Sequence, residues 1–119
     1  MANHIGVIGA GVMGEALIAA LIRSGISPSE IYFAEKRDDR ANELAERYAI
    51  THQDLETVAH YSTILLLVVK PQDMQTTLEA LSPHLTDDCL VISFAAGKTI
   101  SSIAAGLGKK NPIVAAPRV

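Results

Sequence analysis

Apolar positions along this chain fall into short continuous runs, separated by longer segments in which they recur every three or four residues. A short run of branched apolar residues halted by glycine or proline predicts a buried strand, whereas the three-to-four spacing predicts a helix with a covered face. Residues 4–8 form the first run, stopped by Gly9. Residues 13–23, rich in Ala, Leu and Ile and closed by Ser24 and Gly25, predict a helix apolar on nearly every side. Pro28 falls in the loop that follows, and residues 31–34 read as a second strand. Asp38 or Asp39 is placed to cap a helix ending at Tyr48, with Ala41, Leu44, Ala45 and Tyr48 on one face. A short third strand fits around Ile50, then a brief helix over residues 54–60.

Residues 63–69 are the clearest strand, an unbroken apolar run ended by Lys70 and Pro71, as expected of a parallel strand covered on both faces. Residues 74–81 are helical, with Pro83 beyond them, and residues 90–94 form another buried strand before Gly97. Thr99 or Ser101 is placed to cap a helix ending at Leu107 and Gly108, and residues 113–116 make a last strand. This alternation with short connections predicts an α/β fold, a doubly wound parallel sheet (Rossmann fold) whose right-handed crossovers place helices on both faces. With no internal repeat and no linker, residues 1–119 read as a single domain.

Composition narrows the function mainly by exclusion. With 49% hydrophobic and 19% charged residues the chain has the makings of a packed core. Ten Lys and Arg against thirteen Asp and Glu give a formal charge of −3 with no basic stripe, so no nucleic-acid partner is expected. The longest apolar stretches, residues 16–22 and 64–69, fall far short of the ~20 residues that a membrane-spanning helix needs. Residues 1–4 carry no charged leader pattern, so the expectation is no membrane partner and a cytoplasmic location. Cys89 stands alone and is expected to pack as a small apolar group. His4, His52, His60 and His84 are scattered singly and predict no metal site. Ser93 has no histidine in a recognisable motif and reads as a strand serine, not a nucleophile.

The chemistry lies in Gly9-Ala10-Gly11-Val12-Met13-Gly14, a G-x-G-x-x-G between a predicted strand and a predicted helix. Gly9 permits the tight turn, Gly11 lets a pyrophosphate approach the backbone, and Gly14 lets the helix pack closely on the sheet. The helix N-terminus then offers N–H groups and a positive dipole end to phosphates. Glu35 ends the next strand 21 residues after Gly14, against an expected interval of about 20. Glu35 suits a ribose 2′-hydroxyl and hence NAD; Lys36, Arg37 and Arg40 suit a 2′-phosphate and hence NADP. A bland alternative keeps the glycines for turn and packing alone and the basic trio for a solvated helix start.

Ile5-Gly6-Val7-Ile8-Gly9-Ala10-Gly11-Val12-Met13-Gly14, then Val68-Val69-Lys70-Pro71, then Ser93-Phe94-Ala95-Ala96-Gly97 with Thr99-Ile100, together resemble the pyrroline-5-carboxylate reductases along the whole chain. The resemblance implies reduction of 1-pyrroline-5-carboxylate to L-proline in proline biosynthesis, with NADPH or NADH as hydride donor. It implies that the dinucleotide is held by Ile8, Gly9, Ala10, Gly11, Val12, Met13 and Gly14, with Glu35, Lys36 and Arg37 at the end of the second strand. Asp54 matches a position near the adenosine end, and Val68, Val69, Lys70, Pro71, Phe94, Ala95 and Ala96 match the nicotinamide side. Glu35 followed by Lys36 departs from the family's small polar residue followed by arginine, which leaves the choice between NADPH and NADH open.

The family continues with a helical domain that makes the dimer and most of the substrate pocket. Here the matching stretch is Ala116-Pro117-Arg118-Val119, so the expectation is an isolated or truncated cofactor domain without that helical domain. Catalytic residues are then expected beyond Val119, and the intact enzyme is expected to be a homo-oligomer through the helical part. The alternatives are a nucleotide-binding, redox-sensing module without its own catalysis, and another NADP-dependent dehydrogenase, including reductases that use a deazaflavin.

Overall fold

The computed structural model describes residues 4–9, 11–94, 100–108 and 113–115. Among these described residues, six parallel strands form one sheet in the order β3-β2-β1-β4-β5-β6, where β1 is Ile5–Ile8, β2 Ile31–Ala34, β3 Thr51–His52, β4 Ile64–Leu67, β5 Leu90–Ser93 and β6 Ile113–Ala115. The helices between them are α1 (Val12–Arg23), α2 (Asp38–Tyr48), α3 (Leu55–Tyr61), α4 (Met74–Leu81) and α5 (Ile100–Leu107). From β1 the chain winds outward through β2 to β3, then crosses back to β4 and winds the other way. Right-handed crossovers therefore put α1 and α2 on one face and α3, α4 and α5 on the other.

Strand alternation divides the apolar residues between those faces. Ile5, Val7, Ile31, Phe33 and Leu66 point toward Ile18 of α1 and Ala41 and Leu44 of α2. Ile8, Ala34, Leu65, Leu67 and Val91 point toward Val58 of α3, Leu78 of α4 and Ile103 of α5. Because each central strand serves both cores, β1 is buried at every residue, as the unbroken apolar runs require. Cys89 is buried in the second of these clusters, and burial pushes its thiol up to about 11, so it packs as an apolar group.

Several local expectations shift. Val68, Val69 and Phe94 lie just beyond their strands. Pro28 begins a short 3-10 turn, Pro28–Glu30, instead of a plain loop. Neither Asp38 nor Asp39 caps α2: Arg37 holds the cap position, with no side-chain cap, and both acids sit in the first turn, where the helix dipole favours them. Asp54 does cap α3, accepting the Thr57 N–H at 2.8 Å. Ser101 lies inside α5 and is not its cap, while Thr99 and Ala116 fall outside the described residues. No described helix is long and apolar enough to cross a membrane.

Phe33 is fully buried at the centre of the α1–α2 face, and its ring also meets the His52 imidazole at 5.1 Å between centroids. Phe33→Ala is expected to lower unfolding free energy by about 3–5 kcal/mol, read from denaturant unfolding.

Candidate functional site

The sheet order reverses at β1, and a cleft of about 990 Å³ opens there, beyond the carboxyl ends of β1, β2 and β4. That is where ligands sit in open parallel sheets. Gly9 leaves β1 at φ +98°, a left-handed conformation that L side chains rarely adopt. Its N–H donates to the Ala34 carbonyl at 3.2 Å, while the Val68 N–H donates to the Ile8 carbonyl at 2.9 Å. The end of β1 is thus tied to both neighbouring strands. Gly14 comes so close to the Gly9 carbonyl that a Cβ there would collide with the backbone. The expected close packing is confirmed, but its object is the loop's own carbonyl more than the sheet.

Gly11 differs from both. Its φ is −75°, and a Cβ built on it would meet nothing within 4 Å. The protein itself does not need glycine there; the space lies on the cleft side. Gly11 is also the N-cap of α1 and brings no side chain to accept the first N–H groups of the helix. Those donors, at the positive end of a 12-residue helix, suit a phosphate. Val12 and Met13, 88% and 51% exposed, form an apolar lip beside them.

Of the residues expected in the site, Ile8, Gly9, Gly11, Val12, Met13, Gly14, Glu35, Lys36, Arg37, Asp54, Val68, Val69 and Lys70 line this one cleft. Pro71 and Phe94 are not among its walls: Pro71 opens a 3-10 turn, Pro71–Asp73, and Phe94 packs, half-buried, against the α1–α2 core. Ala10, Ala95 and Ala96 lie outside the described residues. The cleft also takes in Arg40, His52, Gln53, Asp73 and Thr77. Of these, only Arg40 was marked by a sequence signal pointing to a ligand.

At the edge of β2, Glu35 Oε1 accepts the Arg37 N–H at 3.1 Å. Nε2 of His52 lies 3.3 Å from the Glu35 nitrogen and 3.1 Å from its carbonyl oxygen, so the imidazole ties to that backbone in either tautomer. The Arg37 guanidinium reaches Asp39 at 3.3 Å and holds that carboxyl below its usual value. Hydrogen bonds from Thr57 do the same for Asp54. Lys36 and Lys70 are exposed at the mouth. Glu15, one residue past the glycine motif, went unread in the sequence; it accepts from Arg40, Arg47 and Tyr48. The Tyr48 hydroxyl and the two guanidinium groups pull its carboxyl from 4.5 down to about 2. No group of three metal-ligating side chains occurs among the described residues.

The family model described as "NADP oxidoreductase coenzyme F420-dependent" matches residues 4–97. Pyrroline-5-carboxylate reductase 2 of Bacillus subtilis is 35% identical over 115 residues, covering 94% of this chain and 41% of its own length. Pyrroline-5-carboxylate reductase of Escherichia coli is 34% identical over 118 residues, covering 98% and 44%. The solved pyrroline-5-carboxylate reductase of Coxiella burnetii superposes with a TM-score of 0.90 at 30% identity, over 97% of this chain and 43% of that one. The chain thus spans about two fifths of the length of the relatives it matches.

A carboxylate whose pKa is lowered on folding contributes stability above its unfolded value and loses it as pH falls toward the folded value. Glu15 should therefore support the α1–α2 contact fully above pH 4.5 and progressively less down to about 2. In an acid titration followed by circular dichroism, Glu15→Gln is expected to be less stable than the parent at neutral pH. The difference between the two should close between those limits; a constant difference would show that Glu15 is not the titrating partner.

Proposed function

We propose that this chain, which belongs to the NADP oxidoreductase coenzyme F420-dependent family, is the dinucleotide-binding domain of a pyrroline-5-carboxylate reductase and holds NADPH or NADH over its glycine loop. The observation that carries this reading is the open space at Gly11, at the uncapped N-terminus of α1 and the reversal point of the sheet. A ligand with a pyrophosphate fits donors that no side chain satisfies. Resemblance in the Val68–Pro71 and Ser93–Gly97 segments, together with the bacterial reductases named above, supports the pyrroline substrate over other dehydrogenase chemistry.

In this reading the N–H groups of α1 hold the pyrophosphate, and Glu35, Lys36 and Arg37 face the adenosine ribose. Asp54 stands near the adenosine, and its carboxylate already serves the α3 cap. Val68, Val69 and Lys70 take the nicotinamide side, and Ala95 and Ala96 are assigned to it from the resemblance alone. A bound dinucleotide would supply the hydride for reduction of 1-pyrroline-5-carboxylate to L-proline, with a proton taken up at the ring nitrogen and the oxidised dinucleotide left as product. The same reading places residues 1–119 in one domain, the intact reductase in the cytoplasm as a homo-oligomer through a helical domain, and the substrate's carboxylate and ring nitrogen on that second part.

Gly11→Val tests the cofactor half. With no neighbour within 4 Å and an ordinary φ, the variant should melt like the parent without ligand. It should lose the thermal stabilisation that NADPH or NADH gives the parent. Unchanged stabilisation would remove the phosphates from this loop.

The substrate half is tested by NADPH oxidation in the presence of 1-pyrroline-5-carboxylate. Fixing the imine carbon against the hydride donor is worth about 7–11 kcal/mol of barrier, and one wall of a site does not supply it. The 119-residue chain is expected to hold cofactor without enzyme-like turnover. Fusion to the part of the Bacillus subtilis reductase beyond the matched region should restore turnover. Equal rates from the two proteins would place the substrate site on this chain.

A further inference from the structure

Glu15, Arg40, Arg47 and Tyr48 belong to no motif, yet they make one connected polar cluster against the glycine loop. Glu15 Oε1 accepts from Arg40 Nη2 at 2.7 Å; its Oε2 accepts from Arg47 Nη1 at 2.6 Å and from the Tyr48 hydroxyl at 2.7 Å. Arg40 Nη1 donates to Glu43 Oε1 at 2.5 Å. The same Nη2 lies 3.4 Å from the Gly11 carbonyl oxygen, which also accepts the Glu15 N–H at 3.0 Å. The Arg40 and Glu15 side chains are only 18% and 22% exposed, so this pair is better shielded from water than a surface bridge.

We infer that Glu15 is a positioning and selectivity residue: it holds Arg40 as a clamp on the glycine loop and so withholds that guanidinium from a 2′-phosphate. The inference rests on the reading of the cleft as a dinucleotide site. Arg40 lines the cleft together with Glu35, Lys36 and Arg37, and a guanidinium there would ordinarily recruit a phosphate by charge-assisted hydrogen bonds. Both of its terminal nitrogens already serve carboxylates. Turning toward a ligand would break the contact that ties α2 to the Gly11 carbonyl, and would leave the Glu15 carboxylate short of a donor beside a new anion. Arg40 therefore serves both forms of the cofactor equally, by fixing the loop, and discrimination falls to the exposed Lys36 and Arg37.

The test is the dissociation constant of NADPH and of NADH, by fluorescence titration, for the 119-residue chain and its Arg40→Met, Arg40→Lys and Glu15→Gln variants, with melting temperatures alongside. Arg40→Met is expected to weaken both cofactors by a similar factor of about ten, leaving their ratio unchanged. Arg40→Lys keeps the charge but cannot hold Glu15, Glu43 and Gly11 together, so it too should weaken both. Glu15→Gln should release the guanidinium and raise the preference for NADPH about tenfold, less at high salt. Loss of NADPH affinity alone in Arg40→Met, or parental affinities in Arg40→Lys, would show Arg40 to be a phosphate ligand and overturn the inference. An unchanged ratio in Glu15→Gln would overturn it as well. Failure of the parent chain to bind either cofactor is a separate result, which overturns the cofactor reading and the inference with it.

Discussion

The passage from β1 into α1 is the constraint on which the rest of the molecule depends. Gly9 takes a φ of +98°, and Gly14 passes so near the Gly9 carbonyl that neither position admits an ordinary side chain without strain. This tight return lets the N-terminus of α1 begin directly over the end of β1, between strands that leave it in opposite directions. A looser turn would carry the helix start away from the reversal point and its donors away from the cleft. Tying the end of β1 to both Ala34 and Val68 makes the two strands flanking the cleft share that geometry.

Charges of both signs meet at the cleft, where Lys36, Arg37, Arg40 and Lys70 stand among Glu35, Asp54 and Asp73. Free cations in such number would repel one another and fray the loop. Glu15 and Asp39 offset two of them, and Glu15 does so at low exposure, where the pairing is less screened. In the proposed reading, the loop would bind a phosphate chiefly through fixed backbone donors, which need no reorganisation when it arrives.

Much of this was legible in the sequence because the apolar runs are short, uninterrupted and bounded by glycine or proline. Runs such as residues 64–67 fit a strand covered on both faces, and strands alternating with helices leave a handful of doubly wound topologies, among which the strand order was not legible. The glycine loop was legible because each glycine has a separate steric duty. The cap of α2 was not: acids at the start of a helix satisfy the capping pattern and the dipole pattern alike, and Asp38 and Asp39 follow the second. Nor was the Glu15 cluster, since its bonds join residues 25 to 33 positions apart and appear only when α2 is laid against α1. His52 is one of four histidines scattered along the sequence, and only the pairing of β3 with β2 brings it to Glu35. The same limit applies to Phe94, whose place after β5 suggested the cleft while its ring joins the core below.

The mouth of the cleft combines two kinds of surface that a single simple ligand would not require together. Helix donors without a side-chain cap and basic side chains favour a phosphate, whereas Val12 and Met13 expose apolar surface immediately beside them. Exposed large apolar residues are otherwise few among the described residues, with Tyr61 the remaining example. Leaving Val12 almost wholly in water costs hydrophobic free energy that a polar residue at the same helix position would avoid. A nicotinamide dinucleotide joins charged phosphates to flat, weakly polar rings, so both surfaces find a counterpart in one molecule. Inorganic phosphate would use the donors and leave the apolar lip unexplained. The pairing of these surfaces along one cleft therefore argues for an extended nucleotide, in keeping with the cofactor role proposed for this chain.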